Sequence, residues 1–278
     1  MARKDTGKDT GTGGQDPMTL AAEARDRDTL AMVRKALDRR SGMLAFQPVM
    51  QARQSARPAF HEGLIRLMDE TGRIIPARDF MDVVETQELG RRIDRLTLEL
   101  GLQELVLEPG LRLSINMSAR SIGYRPWMET LEQGLREHPG IGERLVLEIS
   151  ERSAMLMPDI VALFMAELQA KGIAFALDDF GAGFTDFRHL RDFYVDLIKI
   201  SGEFSRDISH NPGNQVVMQA LVAMAGHFDI FTVCESVETA EDAAFLSAIG
   251  VDCLQGYHFA APTLRPPWRP ALDQAAAG

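Results

Sequence analysis

The chain reads as an α/β protein of the TIM-like (β/α)8-barrel class. Three observations lead there. Eight apolar, strand-like runs recur between residues 43 and 255. Helical patterns separate most of them, the rhythm of a parallel sheet with crossover helices. And one run after another ends on a polar or acidic residue, as barrel strands do at the rim that carries chemistry. A doubly wound open sheet is the alternative architecture.

The elements follow in order. Residues 1–17 are rich in Gly, Thr, Asp and Lys, with almost no large apolar group. Such a segment cannot bury enough surface to offset its ordering entropy and is expected to be disordered. An amphipathic helix is expected over 20–39, with Leu30, Val33 and Leu37 on one face. Strand-like runs then cover 43–50, 59–64, 111–116, 144–149, 173–178, 195–200, 230–234 and 253–255. Helical patterns include 91–108, 159–171, 215–227 and 240–249. The first two runs leave no room for a helix between them. The domain reading is a polar tail over 1–19, a short helix over 20–40, a barrel over 41–266 and a tail over 267–278.

Composition narrows the function classes. Forty Asp and Glu against 30 Lys and Arg give a formal charge of −10 over 278 residues. Duplex nucleic-acid binders show a basic face, so that class is disfavoured. No apolar run approaches the roughly 18–20 residues needed to span a bilayer. The N-terminus lacks a signal peptide's apolar core. Cys234 and Cys253 lie in apolar runs and read as buried free thiols. A cytoplasmic protein is expected.

Candidate site residues stand at the strand ends: Glu62, Asn116, Glu148, Asp178 with Asp179, Lys199, Glu235 and Gln255. Each alone has a plain reading. A lone Glu is a solvated loop residue, and Asn116 or Ser118 is a turn former or cap. Glu235 and Glu238 can complement the dipole of the helix that follows. The combination is what matters. Adjacent carboxylates such as Asp178 and Asp179 raise each other's pKa unless a cation neutralises them. Hard cations take oxygen ligands. Four or five carboxylates and a carboxamide suit one or two divalent metals, which can drive an in-line displacement at phosphorus. Lys199 and Arg66 are placed to meet phosphate charge. His61, His189, His227 and His258 share no metal-ligand spacing and read as ordinary, with His61 notable for preceding Glu62.

These residues resemble the EAL-domain cyclic di-GMP phosphodiesterases over about residues 43–263. The matches are Phe46-Gln47-Pro48, Glu62-Gly63-Leu64-Ile65-Arg66, Pro76 with Phe80 and Glu85, Asn116-Met117-Ser118, and Leu147-Glu148-Ile149-Ser150-Glu151. Further along are Asp178-Asp179-Phe180-Gly181-Ala182-Gly183-Phe184, Lys199-Ile200, Glu235-Ser236-Val237-Glu238-Thr239, and Gln255-Gly256-Tyr257 with Pro262. The resemblance implies a barrel with one strand reversed at the start. It implies Mg²⁺- or Mn²⁺-dependent cleavage of cyclic di-GMP to linear pGpG in bacterial second-messenger signalling. Glu62, Asn116, Glu148, Asp178, Asp179 and Glu235 match metal ligands, and the resemblance implies two metals. Lys199, with Glu235 and Glu238, matches the catalytic positions. Gln47, Arg66 and Gln255 match substrate contacts, and Glu151 anchors the loop after Asp179. A homodimer is a family-level expectation. The chain departs from the family at Gly63, Ser201, Ser236 and Thr185-Asp186, where the family has alanine, aspartate, glycine and two serines. A non-hydrolysing cyclic di-GMP receptor or interaction module is therefore the alternative. An unrelated Schiff-base enzyme using Lys199 is the third reading, disfavoured because nearby anions raise a lysine pKa. No cyclase signature accompanies the barrel, so regulation is expected from expression, assembly, a partner or the tail.

Overall fold

The computed structural model describes residues 16–182 and 193–269. Gly183, Phe184, Thr185, Asp186 and His189 lie outside the described residues. The strands are β1 (Gly42–Gln51), β2 (Gln54–Met68), β3 (Ile74–Pro76), β4 (Leu113–Asn116) and β5 (Leu145–Ser150). They continue as β6 (Ala174–Phe180), β7 (Leu197–Ile200), β8 (Phe231–Cys234) and β9 (Cys253–Leu254). The helices are α1 (Pro17–Asp38), α2 (Met81–Val84), α3 (Glu88–Leu107), α4 (Arg125–Glu137) and α5 (Glu151–Ala154). After them come α6 (Pro158–Gln169), α7 (Gly202–Ser205), α8 (Pro212–His227) and α9 (Ala240–Ala248).

The sheet closes on itself. From β2 through β4, β5, β6, β7, β8 to β9 every pairing is parallel. β1 pairs antiparallel with both β2 and β9 and shuts the ring. β3 adds antiparallel to β2 outside it. The reversed first strand follows from chain length: two residues between β1 and β2 allow only a hairpin, since a parallel crossover needs a dozen or more. An open doubly wound sheet is excluded, because both edges that it would leave are joined through β1.

Two packing layers hold the barrel. Outside, helices bury one face each. On α4, Trp127 and Leu131 are fully buried at i, i+4 spacing, and Trp127 meets Phe164 of α6, which meets Phe175 of β6. Truncating such a leucine costs about 2–5 kcal/mol. Inside, Val49, Phe60, Ala176, Leu197, Val233 and Cys253 form a separate apolar layer. Side chains alternate across a strand, so positions two residues on from these share the same face. Those positions are Glu62, Asp178, Lys199, Glu235 and Gln255.

The wall made by β1 and β2 has no crossover helix. α1 and α3 pack on part of it, and residues 263–269 cover the part around Phe46. Thr263 bridges to Phe46. Trp268 packs edge-on against Phe46 and His61, with ring centroids 5.1 and 4.7 Å apart, and its Nε1 donates to Glu104 at 3.3 Å. Arg269 pairs with the buried Glu104 and lies over the Phe46 ring.

Candidate active site

Lys199 stands at the centre of the barrel's upper rim. It rises from the end of β7 and is 1% exposed. Its Nζ lies 2.8 Å from Glu148 Oε2 and Glu235 Oε1, and 3.2 Å from Glu62 Oε2 and Asp178 Oδ1. Each carboxylate comes from a different strand: β5, the turn after β8, the middle of β2, and β6. Parallel register brings them level: Asn116 pairs Glu148 and Glu62 pairs Ser114. Asn116 Nδ2 donates to Glu62 Oε1 at 2.9 Å. Gln255 Nε2 donates to Glu62 Oε2 at 2.6 Å and to Gln47 Oε1 at 3.2 Å. Gln47 Nε2 donates in turn to the Ala260 carbonyl.

The electrostatics are unequal around the ring. Burial pushes Glu62 up, but Lys199 and the amides of Gln255 and Asn116 outweigh it and hold the carboxyl below its ordinary value. Burial, reinforced by the neighbouring Glu62 charge, drives Glu148 well up. Burial likewise raises Asp178, and raises Glu235 to about 8. For Lys199 burial alone would lower the pKa, yet the four carboxylates raise it well above the usual lysine range. One ammonium faces four carboxyl groups, so the cluster carries an excess of acid.

That excess bears on metal binding. Glu148 Oε1 is buried with no hydrogen-bond partner, and so is Gln255 Oε1. Asp178 Oδ1 is buried and has only its ion contact with Lys199. Buried carboxylate oxygens of this kind fit a hard divalent cation. The carboxylates are nonetheless gathered on the ammonium, and among the described residues no group of three or more His, Cys, Asp or Glu stands in a metal-holding arrangement.

Other expected site residues lie further out. Asp179 is exposed, at a left-handed φ of 54°. Glu151 is buried and accepts from the Gly181 amide at 3.1 Å, which ties down the turn after β6. Arg66 is half-buried beyond Glu62 on β2, and its Nη1 donates to the Ile65 carbonyl. Burial lowers its pKa, with Arg78 adding to the effect. Glu238 is exposed and has no ion pair or side-chain hydrogen bond with the Lys199 cluster among the described residues.

Two supporting residues, Gly202 and Ser205, escaped the sequence reading, and Ser201 and Ser236 entered it only as departures from the family pattern. Ser205 donates through Oγ to the Glu235 carbonyl and fixes the turn after β8. Ser236, next in that turn, has a φ of 55°. A Cβ on Gly202 would sit 2.8 Å from Ser236 Cβ, so glycine at 202 is what makes room for it. Ser201 caps α7, its Oγ accepting from the Glu203 amide at 3.5 Å. The Ser205–Glu235 and Gly202–Ser236 contacts have no local sequence signal, because each joins segments more than 25 residues apart in the chain.

The EAL domain family model matches residues 30–262. The cyclic di-GMP phosphodiesterase PdeF of Escherichia coli (strain K12) is 27% identical over 250 residues, 88% of this chain and 33% of that protein. The probable cyclic di-GMP phosphodiesterase PdeN of the same organism is 31% identical over 235 residues, 82% of this chain and 44% of that one. The chain thus spans less than half the length of these curated relatives. Among solved structures, the PaMucR phosphodiesterase in complex with c-di-GMP superposes with a TM-score of 0.77 at 26% identity, covering 85% of this chain and 97% of the other. The FimX EAL domain from Pseudomonas aeruginosa bound to c-di-GMP gives 0.77 at 27% identity, covering 86% and 97%. 

Proposed function

Because the chain belongs to the EAL domain family, we propose that it is a metal-dependent phosphodiesterase that opens cyclic di-GMP to linear pGpG. One observation carries this reading: a buried lysine held within 3.2 Å of four carboxylates from β2, β5, β6 and the turn after β8. Glu62, Asn116, Glu148, Asp178 and Glu235 would hold Mg²⁺ or Mn²⁺, with Asp179 beside them. A divalent cation there supplies a Lewis acid for the phosphoryl oxygens and an acidified water.

The chain's own residues do the rest. Glu62 is kept ionised by Lys199, Asn116 and Gln255 and so stays a ligand and acceptor at neutral pH. Glu235, raised to about 8, can hold or take up a proton near neutrality. Lys199 places a fixed positive charge where a phosphorane's charge would develop. Gln47, Gln255 and Arg66 would orient the dinucleotide. Glu151 sets the turn after Asp179, and Glu238 would act from the rim. The expected compartment is the cytoplasm. No helix among the described residues is long and apolar enough to cross a membrane.

A second reading, a non-hydrolysing cyclic di-GMP receptor, is favoured by Ser201. Its side chain caps α7 and offers no carboxylate two residues after Lys199. One experiment separates the two. The purified chain is incubated with cyclic di-GMP and Mn²⁺ or Mg²⁺, and products are followed by chromatography, with Glu62→Ala as control. Formation of pGpG, lost in the control, supports the enzyme. Tight binding of intact nucleotide without product supports the receptor. Neither product nor binding overturns both.

A further inference from the structure

A buried chain of hydrogen bonds joins two of the turns that carry expected ligands. Asn116 closes β4, and the Met117 amide beyond it donates to the Glu148 carbonyl at 2.8 Å. The residues that follow are held from two helices. From α3, Asp94 accepts from the Ser118 amide at 2.9 Å and from the Ser121 hydroxyl at 2.5 Å. From α5, Ser153 Oγ accepts from the Ala119 amide at 2.8 Å and lies 3.3 Å from Ser118 Oγ. Asp94, Ala119, Ser121 and Ser153 are all buried.

The chain of bonds continues through α5. The Ser153 amide donates to Ser150 Oγ at 3.2 Å, which fastens the start of α5 to the end of β5. Glu151, two residues before Ser153, accepts from the Gly181 amide at 3.1 Å, in the turn after Asp179. A single helical turn has little stability of its own, so its tertiary contacts set its position. α5 is thus tied to the turn after β4 by Ser153 and to the turn after β6 by Glu151. The Ala119 amide is buried and cannot fall back on water, so loss of its acceptor leaves an unsatisfied donor.

We infer that Asp94 and Ser153 are positioning residues: together they clamp the turn after β4, and Ser153 couples it through α5 to the turn after β6, so that Asn116 and Asp179 keep one fixed spacing. Among the described residues neither has an ion pair or side-chain hydrogen bond with the Lys199 ring. They act through Asn116, two residues before Ser118, whose Nδ2 donates to Glu62 at 2.9 Å. Outer partners of this kind orient a metal ligand, and their loss lowers metal affinity about 10–100-fold. The consequence for metal rests on the function proposed above. The coupling between the two turns does not.

Two measurements test it: backbone amide exchange by NMR in EDTA, and Mn²⁺ binding by calorimetry. Ser153→Ala should speed exchange about tenfold or more at Ala119, which loses its acceptor, and also at Gly181, which does not. The buried Thr232 amide, bonded to Asp252 across the barrel, should keep its rate. Mn²⁺ affinity of Ser153→Ala should fall about tenfold or more, and that of Asp94→Ala likewise. Asp94→Asn keeps an acceptor oxygen for both donors and should stay within about threefold of wild type. If Asp94→Ala does not fold, Ser153→Ala decides. Unchanged exchange at Gly181, equal acceleration at Thr232, or wild-type Mn²⁺ affinity in Ser153→Ala overturns the inference. A wild-type chain that binds no Mn²⁺ overturns the metal-dependent function instead, and exchange at Gly181 then decides the coupling.

Discussion

Replacing Lys199 with methionine removes the ammonium and keeps most of the side chain's volume. The structure fixes the scale of the loss. Four carboxylates, two at 2.8 Å and two at 3.2 Å, lose their common partner in a site where Lys199 is 1% exposed. Stripping one partner from a buried ionic network costs about 3–5 kcal/mol. For a domain of this size that is a fall in melting temperature of roughly 6–20 °C. Protonation softens the loss. Glu148 and Asp178 are already raised by burial, and Glu235 is raised to about 8. Removing Lys199 raises them further. A group whose folded pKa exceeds its unfolded value contributes stability that is complete below the unfolded pKa and is lost as pH rises through the folded one. The deficit of Lys199→Met should therefore be small at pH 6 and near its full size at pH 9. Thermal melts in EDTA at both pH values read this directly. A variant within about 2 °C of wild type at pH 9, or a larger deficit at pH 6 than at pH 9, would refute the reasoning.

Three further outcomes are expected. Gly202→Ala should cost about 1–3 kcal/mol, because its Cβ would crowd Ser236; Ser236→Gly in the same chain should recover most of that, and additive losses in a double-mutant cycle would break the proposed contact. Asp94 is pushed up to about 7 by burial, although it accepts from the Ser118 amide and Ser121 hydroxyl. Its contribution is full below pH ~4 and is lost as pH rises through about 7, so the stability of wild type relative to Asp94→Asn should fall by a few kcal/mol between pH 4 and 8 in urea titrations; a flat difference would exclude it. Trp268→Ala should lower stability by about 1–3 kcal/mol in calorimetry through lost contact with Phe46 and His61; an unchanged transition would mean that the strap contributes nothing.

Much of this was legible in the sequence because strand ends leave local marks. An apolar run closing on Glu62, Glu148, Asp178 or Lys199 shows its rim position directly, and the short gap before residue 54 forces a hairpin. Both thiols are buried and free, as their apolar settings imply. What stayed hidden is long-range. Nothing near Lys199 says that it faces four carboxylates at once rather than solvent. The segment after 266 reads as a tail, yet Trp268 finds an apolar partner more than 200 residues earlier. β3 is too short at three residues to show periodicity. Exposed Glu238 and central Glu235 look alike in sequence, since both precede the same helix.

The late cover over Phe46 has a consequence for synthesis. Phe46 emerges 222 residues ahead of Trp268, the ring that covers it. At about 5–20 residues per second, that is roughly 10–45 s of translation. Throughout it Phe46 lacks this cover, although α1 and α3 already pack on the hairpin, and β1 lacks β9, its second neighbour. A nascent chain in this state presents an unpaired strand edge beside an apolar strip, the combination that invites pairing with other chains. Folding yield in the cell should then depend on how fast the last 20 residues of the barrel arrive, not on how stable the finished protein is.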